Sequence, residues 1–380
     1  MSAIPGIAVS GRPAGPKPMR LLQPGTLLLS GPSDLAGHRR FWGPVPTLPV
    51  DALTAATKRV VGAGGAEFPA PRKLQALAGR SVSAVVVNAM EGEPGSAKDS
   101  VLLAMAVHLV LDGAVTVARA LGTRRVIIRM ADGLLVNIVA AAIEQRRDAR
   151  FTISVGPERF VAGEASAIAR SLRGGPALPD GDSRPPTVGM RRRPIFLSNT
   201  ETFARIALAA RGDSRTSALV TVSGAVARSG VAELPPTATI GDLLAVAGAD
   251  QPEILVTGGW HGAWLPWRDG LAGVPLTRDA VRAVGGRWGA GAMTVLGRDP
   301  EPAEVLAAVA DYLAAQSAGQ CGPCVHGLPA LADRIRVGAD PTAVAGQVSG
   351  RGLCAHPTAA TAALLSGAAA VRSLQSARQR

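Results

Sequence analysis

Residues 83–99 read Ser-Ala-Val-Val-Val-Asn-Ala-Met-Glu-Gly-Glu-Pro-Gly-Ser-Ala-Lys-Asp. Ser83 to Asn88 is a short β-branched run, which suits a buried strand. Behind it, Lys98 to Leu121 has helical composition, Arg125 to Met130 reads as a second strand, Gly133 to Gln145 as a helix and Arg150 to Val155 as a third strand. Strands alternating with helices predict an α/β fold with a parallel sheet and crossover helices. Ligands of such sheets bind at the carboxyl ends of the strands. The segment Asn88 to Asp99 stands at such an end, and its amide followed by two carboxylates, Glu91 and Glu93, is a candidate site. The plain alternative is a solvated turn.

Upstream, Gly62-Ala63-Gly64-Gly65-Ala66-Glu67-Phe68-Pro69 is followed by Arg72 and Lys73. Glycines let backbone N–H groups approach an anion closely, and a neighbouring cation completes the charge match, so the loop can cradle a phosphate. In a chain with 45 glycines, a plain turn between helices is the competing reading.

The rest of the chain divides around this core. Residues 1–50, rich in Pro and Gly, read as an irregular arm, and 51–213 as the α/β domain. A break dense in Gly, Pro and Arg covers Gly174 to Arg193. From Ser217 the pattern turns to β, with Ile240 to Ala247 as a helix and Glu253 to Gly258 as a strand, so 214–300 reads as a small ubiquitin-like α+β domain. Residues 301–380 read as a helical bundle.

The 380 residues, 47% of them hydrophobic, suffice for two or three packed domains. The most apolar run, Val101 to Leu121, is interrupted by His108, Asp112 and Arg119 and fits a core helix rather than a membrane span, leaving a peripheral membrane association at most. Prolines 5, 13, 16 and 18 break any signal-peptide core, so a cytoplasmic location is expected. The net charge of +12 and the basic patch of Arg184 and Arg191 to Arg193 invite a nucleic-acid reading, but aromatics are 3% of the chain and no nucleic-acid module is present. An acidic protein partner, such as a small electron carrier, suits the same basic surface.

All three cysteines lie near the C-terminus: Cys321-Gly-Pro-Cys324, then Cys354. Zinc sites, thioredoxin-like couples and iron–sulfur sites all use Cys-x-x-Cys. Residues 302–316 are helical in pattern, whereas a thioredoxin couple follows a strand. His326 and His356, each two residues beyond a cysteine, could complete a zinc site or serve a cluster; both also fit ordinary helix positions.

Taken together, residues 55–365 resemble the flavin-bearing, NADH-oxidising 51 kDa-type (F) polypeptide of complex I and its relatives in NAD-linked hydrogenases and formate dehydrogenases. The anchors run in order: the Gly62 to Lys73 loop, Asn88 to Asp99, Phe160-Val161-Ala162-Gly163-Glu164, Asn199-Thr200-Glu201-Thr202, and the cysteines. Val222-Ser223-Gly224 and Val256-Thr257-Gly258-Gly259 are similar to that family's ubiquitin-like (β-grasp, SLBB-type) domain. The resemblance implies a Rossmann-like domain holding FMN through Gly62, Gly64, Gly65, Phe68, Lys73, Asn88, Ser198, Asn199 and Thr202. It also implies a flavin and nicotinamide pocket shaped by Glu91, Glu93 and Glu164 as catalytic carboxylates, and NAD(H) as the electron donor. A 4Fe-4S cluster is implied on Cys321, Cys324 and Cys354, with His326, His356 or a partner residue as fourth ligand, or a 3Fe-4S cluster where that ligand is absent. The implied partner is a ferredoxin-like or cluster-bearing subunit in a hetero-oligomer.

Departures from the family pattern cluster at the chemistry. Ala318 stands where the first cluster cysteine belongs, Met90 replaces the acid after Asn-Ala, Glu67 fills a glycine position and Ala63 removes an arginine. Ala165 replaces a second glutamate, Leu74 an aromatic ring beside the dinucleotide, and Ser198 an asparagine. Two readings follow: an active flavin and iron–sulfur oxidoreductase fed by NADH or another donor, or a divergent scaffold or electron-transfer subunit that has lost NADH oxidation, with or without the cluster.

Overall fold

The computed structural model describes residues 27–181, 189–190 and 193–380. Most of the N-terminal arm's Pro-rich start, and Arg184, Arg191 and Arg192 of the basic patch, lie outside these residues. The chain forms two compact units, one of residues 24–92 and 99–217, the other containing 93–98 and 218–380.

Three short helices, α1 (Leu35–Trp42), α2 (Val50–Ala56) and α3 (Ala70–Leu77), open the first unit. Then come β1 (Ala84–Ala89), α4 (Lys98–Ala120), β2 (Arg125–Ala131), α5 (Leu134–Glu144), β3 (Arg150–Gly156), a 3-10 turn at Phe160–Gly163, α6 (Ala165–Leu172), β4 (Gly189–Met190), β5 (Arg193–Asn199) and α7 (Thr200–Ala210). The sheet order is β3-β2-β1-β5-β4, parallel except for the short edge strand β4. Ala84 to Val87 are fully buried, as a strand covered on both faces requires. Ala84 and Val86 pack with Ile127, Ile168 and Ile195 in one core.

From β1 the chain winds outward through β2 to β3, then returns to place β5 on the other side of β1. The crevice where the winding reverses lies between β1 and β5, the location at which open α/β sheets bind ligands. There Asn88 stands directly opposite Asn199.

Helix α4 is long and apolar enough to cross a membrane, but 89% of its apolar window is buried, so it is a core helix. Asp112 on α4 accepts from His38 Nε2 of α1 (2.8 Å), Arg146 Nη2 (2.7 Å) and Arg211 Nη2 (2.5 Å). Residues 35–42, expected to be irregular, are therefore a helix, capped by Asp34 and tied to α4 through His38.

The second unit carries β6 (Ala218–Gly224), β7 (Gly230–Leu234), α8 (Ile240–Ala247), β8 (Ile254–Thr257), β9 (Ala263–Pro266), α9 (Arg278–Ala283) and β10 (Ala292–Leu296). Their sheet runs β7-β6-β10-β8-β9, with β10 parallel to β6 and antiparallel to β8. Helix α8 starts with a capping box of Thr239 and Asp242 and buries Ile240, Leu243 and Leu244 against the sheet core. Helices α10 (Pro302–Ala315), α11 (Leu328–Arg336), α12 (Thr342–Val348) and α13 (His356–Arg378) complete the unit. α13 packs on α10, α11, α12 and strand β9. Gly367 permits that approach: a Cβ there would meet Leu306 Cδ1 at 2.4 Å.

Candidate cofactor site

The glycine loop is built as a closed turn. Gly62 N donates to Phe68 O (3.1 Å), and Ala70 N to Val60 O (2.9 Å). Gly62 is buried, whereas Gly64 and Gly65 are exposed at the tip. A Cβ on Gly64 would meet Asn199 Cβ at 3.2 Å, and one on Gly62 would meet Phe68 O at 3.0 Å, so both glycines answer a close approach. Gly65 and Glu67 hold left-handed conformations, with φ of 91° and 49°.

Helix α7 supports the loop from below. Ala63 N donates to Thr202 Oγ1 (3.0 Å) in its first turn. Asn199 caps it, its Oδ1 accepting from Glu201 N (3.0 Å) while its amide nitrogen donates to the Asp99 carboxylate. Thr200 Oγ1 donates to Asn88 O (3.2 Å), joining the helix start to β1. The Gly62–Phe68 turn thus rests on the amino end of an 11-residue helix, where the aligned peptide dipoles favour an anion. Ser198 is buried in β5 opposite Val87, one residue short of this cap.

Lys73, on α3, donates from Nζ to Leu197 O (2.8 Å) and sits 5.8 Å from the Phe68 ring centroid. Neither partner is charged, and desolvation lowers its pKa to about 8. A half-buried ammonium with a carbonyl and a ring face for company gains from any anion brought beside it. Asn88 spends its amide on the local backbone: Nδ2 donates to Gly163 O (2.9 Å) and Oδ1 accepts from Met90 N (3.1 Å).

The three carboxylates named from the sequence are engaged with backbone amides. Glu91 accepts from Asp99 N and Ser100 N, each at 3.0 Å, and from Ser100 Oγ (2.6 Å), bracing the start of α4. Glu164 accepts from Ser166 N (2.9 Å) and Ala167 N (3.1 Å) as the cap of α6. Glu93, in the second unit, accepts from Gly95 N (3.3 Å) and Trp260 N (3.1 Å). Held this way, they set loop and helix geometry. Leu74, at the position expected to border a dinucleotide, is fully buried in the core.

In the second unit, Cys321 and Cys324 flank a tight turn that continues as a π-helical segment, Pro323–Gly327, into α11, and Cys354 precedes α13. None of the three is in a disulfide. Burial, the Cys321 thiol and the charges of Cys321 and Cys354 push Cys324 up to about 11, so the three sulfurs share one neighbourhood. The Cys321 pKa falls: burial opposes this, but the Leu353 and Cys324 backbone N–H groups and the Cys324 thiol outweigh it. Ala318 N–H likewise points at the Cys324 sulfur. Such N–H···S bonds are a recognised means of stabilising cluster thiolates. Among the described residues no group of three His, Cys, Asp or Glu side chains converges to hold a single metal ion. A lone zinc ion needs such convergence, whereas a polynuclear cluster asks only one cysteine per iron.

His326 is exposed on the turn. His356 is buried and has both ring nitrogens committed: Nε2 donates to Leu313 O (2.9 Å), which leaves Nδ1 to accept from His261 Nε2 (3.0 Å). As a fourth cluster ligand His356 is therefore ruled out in this arrangement. Sequence reading missed His261, whose only signal is a place in the Gly258–Gly262 turn, and Asp99, which orients the Asn199 amide.

Two family models match the chain: the Nuo51 FMN-binding domain over residues 56–208, and the NADH-ubiquinone oxidoreductase-F iron–sulfur binding region over residues 304–374. The F subunit of NADH-quinone oxidoreductase in Streptomyces coelicolor is 28% identical over 331 residues, 76% of this chain and 71% of that one. Its Escherichia coli counterpart is 26% identical over 309 residues, 70% and 68% of the two chains. The alpha subunit of the NAD-reducing hydrogenase HoxS of Cupriavidus necator is 27% identical over 72% of this chain, which spans 50% of it. An NAD+-reducing [NiFe]-hydrogenase, solved in its hydrogen-reduced state, superposes with a TM-score of 0.80 at 24% identity, over 95% of this chain and 68% of its own. The glycine loop, Lys73 and Asn199 lie inside the first matched segment and the three cysteines inside the second, and the chain belongs to the family of the 51 kDa-type flavin polypeptide, the F subunit of NADH-quinone oxidoreductase.

Proposed function

We propose that this chain is the flavin and iron–sulfur subunit of an electron-transfer oxidoreductase, with FMN seated at the β1–β5 switch point. The observation that carries this is Lys73, a desolvated cation whose partners among the described residues are a carbonyl and an aromatic face, beside a glycine turn on a helix amino end. When bound, FMN supplies two-electron acceptance with one-electron release, and the cluster supplies a one-electron relay. The protein's own part is positional. The exposed tip at Gly64 and Gly65 offers backbone N–H groups to phosphate, and Phe68 and Lys73 line one side. The Thr202, Asn199 and Asn88 hydrogen bonds keep loop, helix and strand in register. Glu91 and Glu164 hold the starts of α4 and α6.

NADH is the donor that the relatives' names suggest, and residues 56–208 belong to the corresponding domain type. The strand order β7-β6-β10-β8-β9 with α8 across it supports a ubiquitin-like domain over residues 214–300, and the mutual packing of α10 to α13 supports a cluster-bearing bundle over 301–380. The relatives are subunits of larger assemblies, which supports a hetero-oligomer with a cluster-bearing partner as electron acceptor. Three cysteines outside any disulfide accord with a reducing, cytoplasmic setting.

Anaerobic purification followed by flavin and iron quantitation and an NADH bleach tests the whole reading. Flavin and iron bleached by NADH is the expected result; a protein that takes up neither FMN nor iron on reconstitution overturns it in favour of a scaffold. In the same assay Lys73→Ala is expected to weaken FMN binding at least tenfold, the order of one lost charge-assisted contact. Because the Lys73 pKa is depressed to about 8, wild-type affinity should hold below that pH and fall above it as the ammonium is lost, while Lys73→Ala shows no such fall.

A further inference from the structure

The chain has three cysteines and no more: Cys324 N donates to Cys321 O (3.0 Å), and the N–H of Leu353, next to Cys354, points at the Cys321 sulfur. A cubane cluster presents four irons, each wanting a terminal ligand, and thiolates normally supply them. The sequence holds no fourth cysteine, His356 has both nitrogens hydrogen-bonded, and His326 stands exposed on the turn two residues past Cys324. Beside the Cys324 sulfur stands Ala318, whose N–H points at it and whose side chain is a methyl.

We infer that the cluster site is a three-thiolate site in which one iron lacks a protein ligand, so that this chain holds three irons firmly and a fourth as an exchangeable ferrous ion. The inference rests on the iron–sulfur reading above. It gives the site a second capacity, reversible uptake of Fe2+, and leaves the fourth iron open to water or a small anionic ligand. Loss of that iron releases one ferrous ion and one electron, which an oxidant must accept; reinsertion consumes one ferrous ion and one electron from a reductant.

The test uses the full chain, reconstituted anaerobically with iron and sulfide. One equivalent of ferricyanide plus EDTA should lower the bound iron from four per chain to three and produce the EPR signal of an oxidised three-iron cluster. Ferrous iron with dithionite should then abolish that signal and restore the fourth iron, and 57Fe supplied at this step should enter one site alone in the Mössbauer spectrum. Retention of all four irons under ferricyanide and EDTA leaves the iron–sulfur reading intact and overturns the open-iron inference. Failure to assemble any cluster overturns both. Ala318→Cys is expected to make the fourth iron resistant to removal; if it assembles a cluster that still loses one iron, the open position is not at Ala318. The wild-type exchange experiment decides the matter should that variant fail to fold.

Discussion

Glu67 illustrates how one side chain can sit against the grain of its own backbone. The turn that carries it needs a left-handed residue after Ala66, and Glu67 adopts φ 49° there. A side chain with a Cβ in that region costs about 1 kcal/mol or more relative to glycine. Glu67→Gly is therefore expected to raise the stability of the first unit by up to about 1 kcal/mol, read as a higher unfolding midpoint. An unchanged or lower midpoint would mean that the carboxylate's own contacts outweigh the backbone strain. Residue types alone pointed to the glycine loop, Lys73 and Asn88, because backbone approach and a stray cation are written in the alphabet itself, whereas Asn199 came from the family resemblance. The fates of Glu91, Glu93 and Glu164 were not, since a carboxylate that braces a helix and one that moves a proton look the same until the donors around them are known.

At the scale of elements, the strands and helices from β1 to β3 fall within one or two residues of their sequence-read positions, because Val85 to Val87 and Val126 to Ile128 are unambiguous β-branched runs. β5 escaped notice. Its sequence, Arg-Pro-Ile-Phe-Leu-Ser-Asn, begins where the Gly, Pro and Arg-rich break ends, and its identity comes from pairing with β1. The short strands β9 and β10 were hidden likewise, each defined by its neighbours in the sheet. Helix α4 depends on Glu91, which binds two amides and a hydroxyl at its start from outside the helix. Glu91→Ala should cost about 1–2 kcal/mol, the range of a lost helix cap, with thermal unfolding as the measure. FMN binding by the folded variant should weaken as well, since the same segment leads out of Asn88; a variant that loses stability but binds FMN as wild type would separate the brace from the site.

For the whole molecule, acidity is the telling variable. His108, 1% exposed, has no hydrogen-bond partner on either ring nitrogen among the described residues and lies near Arg146 and His38. Burial, then the Arg146 and His38 charges, lower its pKa to about 4. Asp112 next to it is held at about 2: burial opposes this, but His38 and Arg146 outweigh it. A histidine kept neutral by the fold stabilises fully above its unfolded pKa of about 6.5. That contribution is lost as pH falls from about 6.5 towards 4, by up to about 3 kcal/mol, because the unfolded chain takes the proton and the folded one does not. The Asp112 contribution is full above about 4 and is lost as the pH falls from there towards 2. Unfolding midpoints recorded between pH 7 and 4 should drop steadily in wild type and far less in His108→Leu; parallel curves would show that another group sets the acid limit.

Residues 93–98 lie between β1 and the body of α4 in sequence yet belong to the second unit, with Ala97 N on Thr221 Oγ1 and Glu93 on Trp260 N. On a ribosome adding roughly 5–20 residues per second, those partners emerge about six seconds or more after the segment itself. The nascent chain must therefore carry β1 and α4 with a dangling link between them until the later sheet is made. A fragment ending at residue 217 would leave that link without either partner, so the flavin-binding segment is contiguous in sequence but not in its contacts.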